Sequence, residues 1–172
     1  MVSPSLRQSS ELFRKASDLY QGPVVKESAL RMELPNGSRI VSLPGSEKTV
    51  RGFSSVDLLI IDEAARVEDA LYKSVRPMLA VSGGRLLALS TPWGQRGWFF
   101  DAWQSDKWHK VKVTADQCDR ISEEFLAEEK EELGEDWYRQ EYFCEFIERA
   151  GRLFSYSLLE NARTEEVETW QI

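Results

Sequence analysis

A chain of 172 residues, 42% hydrophobic and 30% charged, can build one globular domain with a real core and has room for a small appendage. Its net charge of −7 hides an asymmetry: residues 1–115 carry 16 Lys/Arg against 12 Asp/Glu, whereas residues 116–172 carry 6 against 17. The acidic third is a poor DNA-binding face, because phosphate neutralisation needs clustered cations, and it reads as solvated helical surface.

No apolar run approaches the ~18–20 residues needed to span a membrane. The start, Met1 to Gln8, has neither the charged n-region nor the apolar core of a signal peptide. A cytoplasmic protein is therefore expected. Cys118 and Cys144 lack CxxC or CxxH spacing, which supports neither a zinc site nor a disulfide framework. His109, the single histidine, has no Ser or Cys partner set by a recognisable motif.

In chain order, residues 1–5 read as the tail of a strand broken by Pro4, with Ser3 or Ser5 as a helix cap. Leu12, Phe13, Ala16, Leu19 and Tyr20 share one face of a helix from about Leu6 to Tyr20, and Gly22-Pro23 ends it. A hairpin follows, Ser28–Leu34 and Ser38–Leu43 around Pro35-Asn36-Gly37, since Asn and Gly both tolerate positive φ. After a loop to Arg51-Gly52 comes Val56-Asp57-Leu58-Leu59-Ile60-Ile61-Asp62-Glu63-Ala64-Ala65. Its continuous apolar run suits a strand buried on both faces of a parallel sheet.

A helix is predicted from about Val67 to Leu79, with Ala70, Leu71, Val75, Met78 and Leu79 inward. A second buried strand, Arg85–Leu89, then ends in Ser90-Thr91-Pro92. Two apolar strands joined by a helix make a right-handed βαβ unit, so the class is α/β, and Asp62, Glu63, Ser90 and Thr91 should meet at one sheet edge. That edge is where open α/β sheets place ligands. Paired acids there suit a nucleotide hydrolase, the first supporting Mg²⁺ and the second polarising the attacking water. The same two acids also suit a core strand ending in a solvated turn. Trp98, Phe99, Ala102 and Trp103 predict a short helix whose tryptophans pack rather than stack on bases. Lys110–Thr114 alternates like a strand. From Ser122 the pattern is helical, with Leu126, Leu133 and Trp137 as a thin stripe, a break at Gly134, and a second helix through Phe146. Residues 150–172 read as a linker or tail.

The order of these blocks over about residues 1–150 resembles the ATPase domain of the large terminase subunit, the motor that packages DNA into tailed-phage capsids. Val2-Ser3-Pro4-Ser5-Leu6-Arg7-Gln8 resembles the strand and loop after the P-loop helix. Asn36-Gly37-Ser38, Pro44-Gly45 and Arg51-Gly52 resemble the hairpin and arginine loop. Leu58–Glu63 resembles the Walker B strand, Leu86–Pro92 the coupling motif, and Gln140–Phe146 the segment closing the module before a nuclease. The resemblance implies a P-loop NTPase-like (ASCE), mostly parallel sheet in an ATPase core over 1–115, a helical lid over 116–149, and the start of a nuclease or a linker over 150–172. It also implies ATP and Mg²⁺ as cofactors, with Asp62 on the metal, Glu63 as general base, and Ser90 and Thr91 sensing the phosphate. Arg51 becomes a trans-acting arginine finger, against the alternative of a loop arginine paired with a local acid. Arg7 and Gln8 can approach the nucleotide. The implied partners are double-stranded viral DNA, portal, the small terminase subunit and neighbouring copies in a ring, with no membrane.

The departure is that no GxxxxGK(S/T) occurs. Gly45-Ser46-Glu47-Lys48-Thr49 comes nearest and lacks the flanking strand, helix and second glycine. An N-terminal truncation is therefore expected, with low nucleotide affinity, no activity of the chain alone, and a gap or unpaired edge where the P-loop strand belongs. Two other readings stand beside it. One is a helicase-type fragment, since Asp62-Glu63-Ala64-Ala65 and Ser90-Thr91-Pro92 resemble helicase motifs II and III. The other is a non-catalytic interaction module from a prophage remnant.

Overall fold

The computed structural model describes residues 1–45, 50, 52–148 and 162. They fall into two compact units, Met1–Thr91 with Arg96–Lys110, and Pro92–Gln95 with the chain from Val111 onward.

The first unit begins with strand β1 (Val2–Ser3) and helix α1 (Leu6–Leu19). Ser5 is the cap: its extended backbone starts the helix, and its hydroxyl accepts the Gln8 amide at 3.3 Å. Ser9 and Phe13 are the buried positions of α1. Ser9 Oγ donates to the Leu43 carbonyl and Ser42 Oγ donates to the Ser9 carbonyl, both at 2.8 Å. This reciprocal pair satisfies two buried hydroxyls and ties the helix to the chain entering β5 (Leu43–Pro44).

Between α1 and β5 lies a separate antiparallel sheet of β2 (Lys26–Ser28), β3 (Arg31–Glu33) and β4 (Arg39–Val41). The Asn36-Gly37 turn falls where expected, with Gly37 at φ 80° and Asn36 Oδ1 accepting the Ser38 amide at 3.0 Å. The single strand expected over Ser28–Leu34 is instead two, because the chain turns at Ala29-Leu30 and pairs Ser28 with Arg31.

The main sheet has the order β5-β1-β6-β7 and is parallel throughout, with β6 at Leu58–Asp62 and β7 at Arg85–Leu89. Val2 sits opposite Ile61, and Asp62 opposite Leu89, so these strand ends share one edge. Helix α2 (Asp69–Val75) crosses between β6 and β7. It is shorter than the predicted Val67–Leu79, because Pro77 has no N–H to donate and Arg76–Leu79 tightens to a 3-10 turn. Leu71, Val75 and Met78 are buried as expected, whereas Ala70 faces solvent.

Leu59 and Ile61 point into a core shared with Val2, Val67, Leu71, Val75, Met78 and Trp98. The opposite face corrects the expectation of strands buried on both sides: Leu58, Leu87 and Leu89 are each 46% exposed. β5 and β7 are the outer strands of this sheet among the described residues. Helix α3 (Gly97–Gln104) closes the core. Trp98 stacks on Tyr72 at 4.0 Å between centroids, donates its indole N–H to the Val67 carbonyl at 3.0 Å, and donates its amide to Asp69 Oδ1 at 2.9 Å. The packing role expected of this tryptophan is what the structure shows.

Lys110–Thr114, of which Val111 begins the second unit's main segment, is not a strand; Val111 and Val113 are 69% and 61% exposed, and alternation without a paired backbone makes no ladder. Ser122 caps α4 (Glu123–Leu133), Gly134 at φ 78° breaks it, and α5 (Glu135–Phe143) follows. Helix α5 stops short of Phe146 because Cys144 takes a left-handed φ of 51°. Leu126 is buried, but Leu133 and Trp137 remain exposed, and Trp137 meets Trp93 edge-on at 5.7 Å. Tyr142 donates to Glu129 Oε2 at 2.6 Å, which joins α5 to α4. That hydrogen bond, with burial adding to it, pushes the phenol up to about 12. Both cysteines are free thiols, and burial pushes Cys144 up. No helix of the described residues is long and apolar enough to cross a membrane.

Candidate functional site

The site starts from the end of β6. Asp62 is its last residue, and Glu63 then adopts φ 51°, ψ 42°, a left-handed conformation that costs a non-glycine residue about 1–2 kcal/mol. Such outliers persist where the surroundings over-determine them, and they cluster at functional sites. Here the Arg66 amide donates to the Glu63 carbonyl at 2.8 Å, closing a 3-10 turn over Ala64–Arg66. Ala64, fully buried, and Ala65 are small enough to let the chain turn this tightly. The two carboxylates consequently leave the sheet at its C-terminal edge.

They line a cavity of about 500 Å³ whose other wall is α1, which contributes Arg7, Gln8, Glu11 and Lys15 together with the Ser5 cap. Arg7, Glu11 and Lys15 recur at four-residue spacing and so share one helix face. Arg7 and Gln8, named from the sequence, are brought to the acid pair. Glu11 and Lys15 were missed, although their spacing from Arg7 was available to find them.

Glu63 is also held through its side chain. Arg66 Nη1 donates to Glu63 Oε2 at 2.7 Å and to Thr91 Oγ1 at 3.3 Å. The pair is partly exposed, with side-chain accessibilities of 29% for Arg66 and 36% for Glu63. Thr91 is thus joined to Glu63 through one guanidinium nitrogen, a link the sequence reading missed. Ser90, beside Thr91, and Ser3, at the end of β1, have buried hydroxyl oxygens with no hydrogen-bond partner among the described residues. Ser3 follows directly on the Val2–Ile61 pair, so it sits level with Asp62. Arg51 lies outside the described residues, as do Ser46–Thr49 of the nearest phosphate-loop-like stretch.

No group of three or more metal-binding side chains occurs among the described residues. Mg²⁺ needs no such cage: it keeps several waters and takes one or two carboxylates plus substrate phosphates. Asp62, with the orphaned Ser3 hydroxyl level with it, is a donor set of that kind.

A model of the large terminase subunit, T4likevirus-type, N-terminal, matches residues 2–161. The chain belongs to this family. The helicase-type reading gives way to it. Two solved large-terminase ATPase domains from Thermus phage P74-26 share the terminase fold of this chain. An arginine-to-alanine variant has a TM-score of 0.63 at 19% identity, and an ATPase domain without that substitution in its title has 0.57 at 20%. Each alignment covers 85% of this chain and 75% of the solved one. No curated protein matches. The α/β architecture with its parallel four-stranded sheet is therefore that of a terminase ATPase domain.

Proposed function

We propose that this terminase-family chain carries the metal-and-water half of a Mg·ATP hydrolysis site in the motor that translocates viral DNA into a capsid. The observation that carries this reading is the joint emergence of Asp62 and Glu63 at the sheet edge, in a cavity walled by Arg7, Gln8 and Lys15. Asp62 holds the metal, which when bound neutralises phosphate charge. Glu63 orients and deprotonates the attacking water. Ser90 and Thr91 report the phosphate state, and Arg51 reaches a neighbouring copy's nucleotide as an arginine finger. The helical segment 116–149 serves as a lid, and double-stranded DNA, portal, small terminase subunit and neighbouring copies are the partners.

No GxxxxGK(S/T) lies within the 172 residues, and in this reading the chain's own contribution is the metal-and-water side of the site, without a phosphate cradle. The test is displacement of a fluorescent ATP analogue. Weak, saturable, Mg²⁺-dependent binding that Asp62→Asn removes is expected, with no turnover by the chain alone. Binding indifferent to Mg²⁺ and to Asp62→Asn overturns the site assignment. Turnover that Glu63→Gln abolishes overturns the expectation that these 172 residues do not hydrolyse ATP alone.

A further inference from the structure

We infer that Arg66 is a positioning residue that transmits displacement of the β7 end to the carboxylate of Glu63. The inference rests on the assignment of Glu63 as base and Thr91 as phosphate reporter.

Three features carry it. First, one nitrogen does both jobs: Arg66 Nη1 donates to Glu63 Oε2 at 2.7 Å and to Thr91 Oγ1 at 3.3 Å. A shift of Thr91 therefore alters the geometry at Glu63 without any change in the peptide backbone between them. Second, the Arg66 backbone is anchored to Glu63 through the 2.8 Å amide–carbonyl bond, while β6 and β7 run in continuous register from Leu58–Arg85 to Asp62–Leu89. Both strand ends are thus held by pairing up to Asp62 and Leu89, and Glu63, Arg66 and the Ser90-Thr91 step follow directly on the last paired residues. Third, the contact at Thr91 is the longer of the two, at the upper limit of hydrogen-bond length, so it is the one that breaks first.

The chemistry gives the link its consequence. A carboxylate paired with a guanidinium is held in one orientation, and charge-assisted hydrogen bonds of this kind are about twice as strong as neutral ones. A base that must aim at a water loses rate steeply when misplaced, about 10²-fold for 1 Å. Thr91 acting on Arg66 therefore sets whether Glu63 is aimed. The ion pair contributes little to the fold, because both side chains are substantially exposed and solvent screens them.

The test is a two-residue cycle read by the ¹³Cδ resonance of Glu63 in the 172-residue chain, a readout that needs no hydrolysis. Thr91→Val keeps the shape and removes the acceptor. It is expected to move the Glu63 carboxylate resonance when Arg66 is present, and to leave it unmoved in the Arg66→Ala background. An unmoved resonance in Thr91→Val alone overturns the inference, whatever the behaviour of the Arg66 variant. So does an equal shift in both backgrounds, which would mean that Thr91 reaches Glu63 by another route. Failure of the ATP-site reading appears separately, as absent Mg·ATP binding with the Arg66 coupling intact.

Discussion

Glu63 and Arg66 are joined twice, amide to carbonyl at 2.8 Å and guanidinium to carboxylate at 2.7 Å, across a left-handed residue that has no glycine to ease it. The strain is separable from the charge by comparing two variants that both lack the carboxylate. Glu63→Gly is expected to be about 1 kcal/mol more stable than Glu63→Ala in urea unfolding, since glycine carries no Cβ penalty at φ 51°. Equal midpoints for the two would show that no strain is held there.

Trp98 ties α3 to the turn after β6 through the Val67 carbonyl, and it stacks on Tyr72. Trp98→Phe keeps a ring in the slot but orphans that buried carbonyl, with an expected cost of about 1–3 kcal/mol by denaturant titration. Trp98→Ala adds a cavity and should cost about 3–5 kcal/mol. A Phe variant as stable as the parent would show that the hydrogen bond contributes nothing.

Tyr142 supplies the pH dependence. Its hydroxyl is held at about 12 by Glu129, above the ordinary 10.0, so the folded state favours the neutral phenol. Its contribution to stability is full below pH 10 and is lost as pH rises towards 12. Absorbance titration should show one of the five tyrosines ionising late. Tyr142→Phe should remove that step and lower stability at neutral pH by about 0.5–1.5 kcal/mol. Five tyrosines that titrate together would refute the Glu129 contact.

The exposed leucines of the sheet face give a different kind of outcome. Among the described residues Leu87 and Leu89 lie on an edge strand, and exposed apolar edges invite association. Leu87→Lys is expected to reduce self-association in light scattering while changing unfolding free energy by less than about 0.5 kcal/mol. A large loss of stability would mean that this face is packed in solution.

The parts legible in the sequence were those with a local signature. The Ser5 cap, the Asn36-Gly37 turn, the Leu58–Asp62 run and the break at Gly134 each declare themselves within a few residues. What stayed hidden depended on neighbours distant in the chain. Whether Leu87 is covered depends on what stacks on its face of the sheet, not on its being apolar. The alternation of Lys110–Thr114 is real, but a strand also needs a backbone to pair with. The turn at Ala29-Leu30 carries no Gly, Pro or Asn to mark it. At the site, the acid pair and the Ser90-Thr91 end could be placed at one edge from the parallel strands of a βαβ unit. Arg66 could not be assigned, because its reach to Thr91 depends on the left-handed Glu63 and on the register of β6 with β7.

In the proposed site Asp62 is the metal-bearing acid that meets the nucleotide. Paramagnetic broadening by Mn²⁺·ATP, with Mn²⁺ standing in for Mg²⁺, tests it most directly in a ¹H–¹⁵N spectrum of the 172-residue chain. The amides of Ser3, Asp62 and Glu63 are expected to broaden first, followed by Arg7 and Gln8, and Asp62→Asn is expected to abolish the effect. Broadening centred on the acidic helices Glu123–Leu133 and Glu135–Phe143, or left intact by Asp62→Asn, would contradict it.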